Sequence, residues 1–226
     1  MNILAIDTSS SACVLGLQLG GDRHTDVRQS ERSHSRDILP AIEALFANAG
    51  TTLAELDCIV YGQGPGSFTG LRIAVGVVQG LAFGLEIPVV PVSTLACFAQ
   101  AQFRNHDIQR SVVALHARKE EVYLGVYEVA EDIAQLVGKE SVTDVGDIRQ
   151  VLSGDWVGVG DGWILREQME AKFGITMQSI ATEVCPDPDS LLDLGTNGYN
   201  RGQTVSAIDA RPEYLREEVA TPSVKP

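Results

Sequence analysis

A chain of 226 residues with 44% apolar content has the material for one large or two modest domains around a real core. Its formal charge of −13, from 17 Lys+Arg against 30 Asp+Glu, argues against a protein that grips nucleic acid by itself, because phosphate contacts need a basic face. The acidic excess is uneven: residues 1–106 carry six cations against nine acids (−3), and residues 107–226 carry eleven against twenty-one (−10).

The chain opens with Ile3, Leu4, Ala5 and Ile6, an apolar run ending at Asp7-Thr8-Ser9-Ser10-Ser11, and resumes with Cys13 to Leu19. That pattern predicts strand, polar turn, strand, with the turn at Asp7 to Ser11. The start lacks a basic region and a long apolar run, and no uninterrupted apolar stretch reaches membrane-spanning length, so a soluble cytoplasmic protein is expected. Cys13, Cys58, Cys97 and Cys185 are scattered, the first three in apolar runs, which fits buried thiols in a reducing compartment. Gly20-Gly21-Asp22 makes the next turn, and Arg23 to Glu31 reads as a third, more polar strand.

From Ser35 the period changes. Ile38, Leu39, Ile42, Leu45, Phe46 and Ala49 lie on one face of a helix that Gly50 ends, with Ser33 or Ser35 as cap and Asp37 in the first turn. Cys58 to Tyr61 is a short buried strand, and the loop GQGPGSFTGLR (62–72) follows it. Thr69 to Phe83 is a helix apolar almost all round, expected to be largely buried. Val89 to Val92 reads as a strand and Ser93 to Phe103 as a third helix. The chain turns polar around His106 to Arg110, a plausible domain boundary. Beyond it, Ser111 to Leu115, the turn His116 to Glu121 and Val122 to Val129 repeat the opening hairpin in degenerate form. A helix-like stretch Val145 to Leu152, a strand Trp156 to Val159, the turn Gly160-Asp161-Gly162 and a helix-like run Ile164 to Phe173 come next, with frayed residues Glu218 to Pro226 at the end. The halves 1–106 and 107–226 read as divergent copies of one α/β unit, with the C-terminal tail a candidate to pack back on the first.

The glycine loop fails both common phosphate fingerprints. G-x-G-x-x-G counted from Gly62 meets Ser67 in its third slot, counted from Gly64 it meets Thr69, and Gly70 is followed by Leu71-Arg72 rather than Lys-Ser/Thr. What remains is a strand, a permissive backbone and a helix N-terminus with free N–H groups. An anion held by Gly64, Gly66 and Ser67, with Arg72 as counter-charge, competes with a purely structural turn. The tip Asp7-Thr8-Ser9-Ser10 allows a metal-nucleotide site, with Asp7 acting through the metal and the hydroxyls on phosphate, or a self-sufficient hydrogen-bonded turn. Gly76, Gly80 and Gly84 recur every four residues on the following helix, at a cost of about 1 kcal/mol each relative to Ala. Either the domain's own sheet or another subunit must come close there. No two of His24, His34, His106 and His116 are four apart, and neither C-x-x-C nor G-x-S-x-G occurs, so metal and nucleophile chemistry are poorly supported.

Taken together, MNILAIDTSSSACVLGL, ERSHSRDILPAI, YGQGPGSFTGLRIAVGVVQGLAFGLEIPVVPVSTL, ARKEEVY and RPEYLR resemble the TsaB (YeaZ-like) family of tRNA threonylcarbamoyladenosine biosynthesis proteins across nearly the whole chain. The resemblance implies a duplicated actin-like, sugar-kinase-like fold of the RNase H type. It implies a non-catalytic scaffold that binds the transferase TsaD, meets the ATPase TsaE through that complex, touches tRNA only through it, and pairs with itself when TsaD is absent. No cofactor is required on this reading, with ATP or ADP a candidate at or near the subunit interface. The metal-binding histidines of TsaD correspond to Ser93 and Cys97, a side-chain pair that cannot replace two imidazoles. The family's helix bundle uses the helices at 35–48 and 69–83, which assigns Ile38, Ile42, Leu45, Arg72, Gly76, Gly80 and Phe83 to a partner interface. His116-Ala117-Arg118 stands where the family usually reads Asp-Ala-Arg, which puts nucleotide in this chain's own cleft in doubt. The alternative is an actin-like ATP-binding enzyme or an M22-type peptidase acting alone.

Overall fold

A computed structural model describes residues 1–29, 34–183 and 185–215. The opening hairpin forms as β1 (Asn2–Asp7) and β2 (Ala12–Leu19), and β3 (Asp22–Gln29) pairs antiparallel with β2. Helix α1 (His34–Ala49) follows, then β4 (Cys58–Gly64), α2 (Phe68–Leu85), β5 (Val89–Ser93) and α3 (Thr94–His106). β4 and β5 add in parallel to β1, giving the order β3-β2-β1-β4-β5.

The second half repeats this plan. β6 (Arg110–Arg118) and β7 (Glu121–Ala130) form its hairpin, β8 (Ile133–Leu136) and β9 (Ser141–Asp144) pair with β7, and β10 (Val157–Val159) and β11 (Ser179–Ala181) add in parallel to β6. The order β11-β10-β6-β7-β8 is the first sheet's order with the copies substituted one for one. Helix α4 (Arg166–Phe173) lies between β10 and β11, and α5 (Pro188–Asn200) follows β11 as α3 follows β5. This is the duplicated actin-like α/β architecture.

The packing crosses between the copies. Leu95, Phe98 and Ala99 of α3 pack on Val113, Tyr127 and Val159 of the second sheet, whereas Leu191 and Leu192 of α5 pack on Ile3, Ala5, Val60 and Val90 of the first. α1 and α2 cover the opposite face of the first sheet, over Leu4, Ile6, Leu15 and Ile59. Arg23 and Arg104 clamp the start of α5 through Asp189 and Asp193, at 2.6 Å in the two shortest pairs.

Several expectations change. Val145 to Leu152 is not a helix: only Val145–Asp147 makes a 3₁₀ turn, capped by the Asp144 side chain on Gly146 N at 2.8 Å, and Ile148 and Leu152 reach the second core from irregular backbone. α5 was not anticipated, although Asp187 caps Ser190 N at 2.8 Å and Pro188 stands at the first helical position, both readable start signals. α2 is not largely buried. One side of it rests on the sheet through Leu71, Ala74, Val75, Val78 and Ala82, while Phe68, Arg72, Gly76, Gly80, Phe83 and Gly84 are exposed. Its 18 residues, interrupted by Arg72 and Gln79, have a mean hydropathy of 1.5 and so the length and composition to cross a membrane; here one side of the helix packs on the first sheet. The expected end of the third strand, the Ser33 cap and the expected fraying of 218–226 lie outside the described residues.

Candidate functional site

The glycine loop is shaped by what lies against it. A side chain at Gly62 would collide with the Asp7 carboxylate, one at Gly70 with the Thr8 carbonyl, and one at Gly66 would sit 2.5 Å from Ser9 O. The loop therefore lies flat on the turn after β1, with its Gly64–Pro65 peptide cis. Hydrogen bonds fasten the two: Ser67 N donates to Ser9 O at 2.7 Å, and Thr8 Oγ1 donates to Gly70 O at 2.7 Å. Ser67 caps α2 by accepting from Gly70 N at 3.2 Å.

These contacts consume much of what an anion would use. Asp7 is fully buried; its Oδ1 accepts from Ser9 N and Ser9 Oγ, both at 2.7 Å, and its Oδ2 has no partner. Burial pushes its carboxyl above the ordinary value, with the two Ser9 hydrogen bonds pulling the other way. A cleft of about 370 Å³ opens between the two copies, lined by Ser9, Ser10, Gly66, Ser67, Thr94 and Phe98 of the first, and by His116, Tyr123 and Asp161 among others of the second. Four of the anticipated nucleotide or anion residues thus meet at the cleft. Asp7 and Thr8 lie behind them, and Gly64 approaches Leu71 and Glu213 instead. Arg72 does not line it either. Among the described residues, Asp161 is the one formally charged residue in the lining, and its Oδ1 accepts from His116 N at 2.8 Å. Among the described residues, a polyphosphate there would meet hydroxyls and a carboxylate but no guanidinium or ammonium group.

Ser93 and Cys97 both have structural work. Ser93 Oγ caps α3, accepting from Leu95 N at 3.1 Å and Ala96 N at 3.3 Å, and it donates to Glu140, which also accepts from Tyr127. Cys97 is buried, with its thiol donating to Asp187 O at 3.6 Å, and burial pushes the thiol well above its ordinary value. The Cys13 and Cys58 thiols are likewise pushed up by burial, to about 11 and about 12.

The interface residues divide. Ile38, Ile42 and Leu45 are at most 4% exposed and belong to the first core, so their assignment to a partner surface is corrected: the apolar stripe of α1 faces its own sheet. The outward side of α1 carries Arg36, Leu39, Pro40 and Glu43 instead. On α2 the assignment points at open surface. Gly76, Gly80 and Gly84 have none of the described residues within 4 Å of where a Cβ would stand, and Phe83 is 77% exposed beside them. At the head of this stripe the Arg72 guanidinium lies 3.6 Å over the ring of Phe68, and Arg72 Nε donates to Tyr214 Oη at 3.2 Å. Phe68 and Tyr214 were not singled out from sequence; the quoted RPEYLR segment was the only signal for the second.

Comparison with known proteins agrees with this architecture. The profile of the family described as "TsaD: tRNA N6-adenosine threonylcarbamoyltransferase" matches residues 28–195. The tRNA threonylcarbamoyladenosine biosynthesis protein TsaB of Escherichia coli is 35% identical over 97% of this chain and 96% of its own length. The chain belongs to the TsaB (YeaZ-like) family. The TsaB of Haemophilus influenzae is also 35% identical, over 97% of this chain and 95% of its own. The solved structure of YeaZ from Pseudomonas aeruginosa superposes with a TM-score of 0.89 at 37% identity, covering 95% of this chain and 99% of that one. A TsaB-family fold therefore spans both copies, and the α2 stripe and the cleft are features of this family member's own surface.

Proposed function

We propose that this chain is a non-catalytic assembly subunit in the biosynthesis of N6-threonylcarbamoyladenosine at position 37 of tRNAs reading codons that begin with A, and that it docks on the transferase TsaD through the outer face of α2. The observation that carries the reading is that face: three glycines at four-residue spacing with open space in front of them, flanked by an exposed Phe83. Glycines in a helix interior cost stability, about 1 kcal/mol each, and only a close-packed neighbour offsets it. Family membership supplies the pathway, through relatives named for it.

The reading places TsaE and tRNA in contact with this chain through the complex. The net charge of −13 supports a chain that leaves tRNA to its partners. In the absence of TsaD the same face pairs two copies of the chain, in the cytoplasm and without a required cofactor. The structural duties of Ser93 and Cys97 support the non-catalytic part, since the positions that the family resemblance matches to the transferase's metal ligands here cap a helix and fill a core.

Reconstitution tests the proposal. Modification of tRNA by TsaD and TsaE should depend on adding this chain; a full rate without it would overturn the reading.

A further inference from the structure

The segment after α5 returns to the first sheet and lies along α2. Val205 bridges Val89 with bonds of 2.9 and 3.0 Å, and Gln79 Nε2 of α2 donates to Ala210 O at 2.9 Å. Tyr61 Oη donates to Arg211 O at 3.1 Å and accepts from Arg211 N at 3.0 Å, and Glu213 N donates to Gln63 O at 2.8 Å. This strap delivers Tyr214 to the head of the glycine stripe, its ring 5.8 Å from that of Phe68 and its hydroxyl on Arg72 Nε.

Arg72 is thereby held from two sides before any partner arrives. Its guanidinium is stacked on Phe68 and hydrogen-bonded to Tyr214, so little side-chain freedom is left to lose on binding. Among the described residues it makes no ion pair, although the chain carries 30 acids. A fixed, exposed guanidinium with its terminal nitrogens uncommitted matches a carboxylate in planar, two-point geometry. Tyr, Arg and Phe are also residue types enriched at the cores of protein interfaces.

We propose that the strap 205–214 is part of the docking face, and that Phe68, Arg72 and Tyr214 form a preset receptor for a carboxylate carried by the partner's packing helix. The proposal rests on the assembly reading above and adds the chemistry of the partner. Charge complementarity fixes the occupant: the helix that lies on Gly76 and Gly80 brings an Asp or Glu to Arg72. Tyr214 is a positioning residue, acting through Arg72.

Calorimetric titration of the full chain with TsaD, at low and high salt, tests this in wild type, Arg72→Glu and Tyr214→Phe. Arg72→Glu should weaken binding about 100-fold, and Tyr214→Phe about five-fold, with thermal midpoints unchanged. The wild-type affinity should fall more steeply with salt than that of Arg72→Glu. Absence of wild-type binding would remove the assembly reading and this proposal with it. Wild-type binding matched by both variants would overturn this proposal alone. A shift confined to the chain's own monomer–dimer equilibrium would name a second copy as the occupant and overturn it equally.

Discussion

Glycine is used in two opposite ways within one stretch of this chain. From the end of β4 to the first turn of α2, Gly62, Gly66 and Gly70 stand where the turn after β1 presses in, and no side chain fits. On α2, a turn or two further on, Gly76, Gly80 and Gly84 face open space, and any side chain fits. The first set is complemented from inside the molecule and is complete in the isolated chain. The second set awaits a complement from outside, so the same residue type at similarly short intervals marks a fold determinant in one place and a docking face in the other.

The largest effect should come from the first set. Gly70→Ala drives a Cβ into the backbone carbonyl of Thr8, which cannot yield as a flexible side chain would, and it disturbs the Thr8 Oγ1 bond to Gly70 O. A loss of about 3 kcal/mol or more is expected, read as a large fall in the urea midpoint. Stability equal to wild type would show that the loop and turn do not pack as described.

Gly80→Leu should do the reverse. Nothing lies within 4 Å, so the fold should keep its stability to within about 1 kcal/mol, leucine being the better helix former. Affinity for TsaD should fall at least about 30-fold, because a leucine side chain holds the two helices apart. Undiminished affinity would move the docking face elsewhere.

The contrast also shows what could be read from the amino-acid string. The hairpin, the glycine loop and both early helices were legible because their periods change sharply, and Gly50 marks the stop of the first helix, whereas Glu86 in the left-handed conformation ends the second. The burial of α2 was not legible: an apolar helix must be covered, but composition does not say by what. Ile38, Ile42 and Leu45 show the converse, since their regular spacing marks the face turned to the core and carries no information about a partner. Val145 to Leu152 has helix-like spacing, yet only its first three residues make a 3₁₀ turn, and Ile148 and Leu152 reach the core from the irregular backbone that follows. At the candidate site, the polar turn and loop were visible as separate motifs, and their mutual contacts follow from adjacent strand ends. The Arg72–Tyr214 contact spans 142 positions and depends on the strap's route over the sheet, which no local pattern encodes.

A smaller effect concerns the turn side of the comparison. Asp7 is buried with one oxygen unpaired, and its native pKa is raised above the ordinary 3.8. In that window the native state holds the proton more tightly than the unfolded chain does. Stability should therefore fall as pH rises from the ordinary carboxylate value through the raised one, and then level off. Asp7→Asn keeps an oxygen for both Ser9 bonds and removes the buried charge, so it should flatten that slope and equal or exceed the wild type at pH 7. Unfolding midpoints across the acid range check it; an unchanged slope would mean that Asp7 is not the titrating group.

Gly76→Ala gives the smallest shift and the one whose sign discriminates best. In the isolated chain the new methyl group meets no neighbour and removes backbone freedom from the unfolded state, so a gain of about 0.5–1 kcal/mol is expected. For a chain of this size that is a rise of about 2–4 °C in Tm per kcal/mol. A helix closely packed on the same stripe in the complex would feel the methyl group as an obstruction, and TsaD affinity should drop while the free chain becomes more stable. If the stripe served this chain's own packing, both quantities would fall together. Opposite signs from one methyl group would locate the missing neighbour outside the molecule.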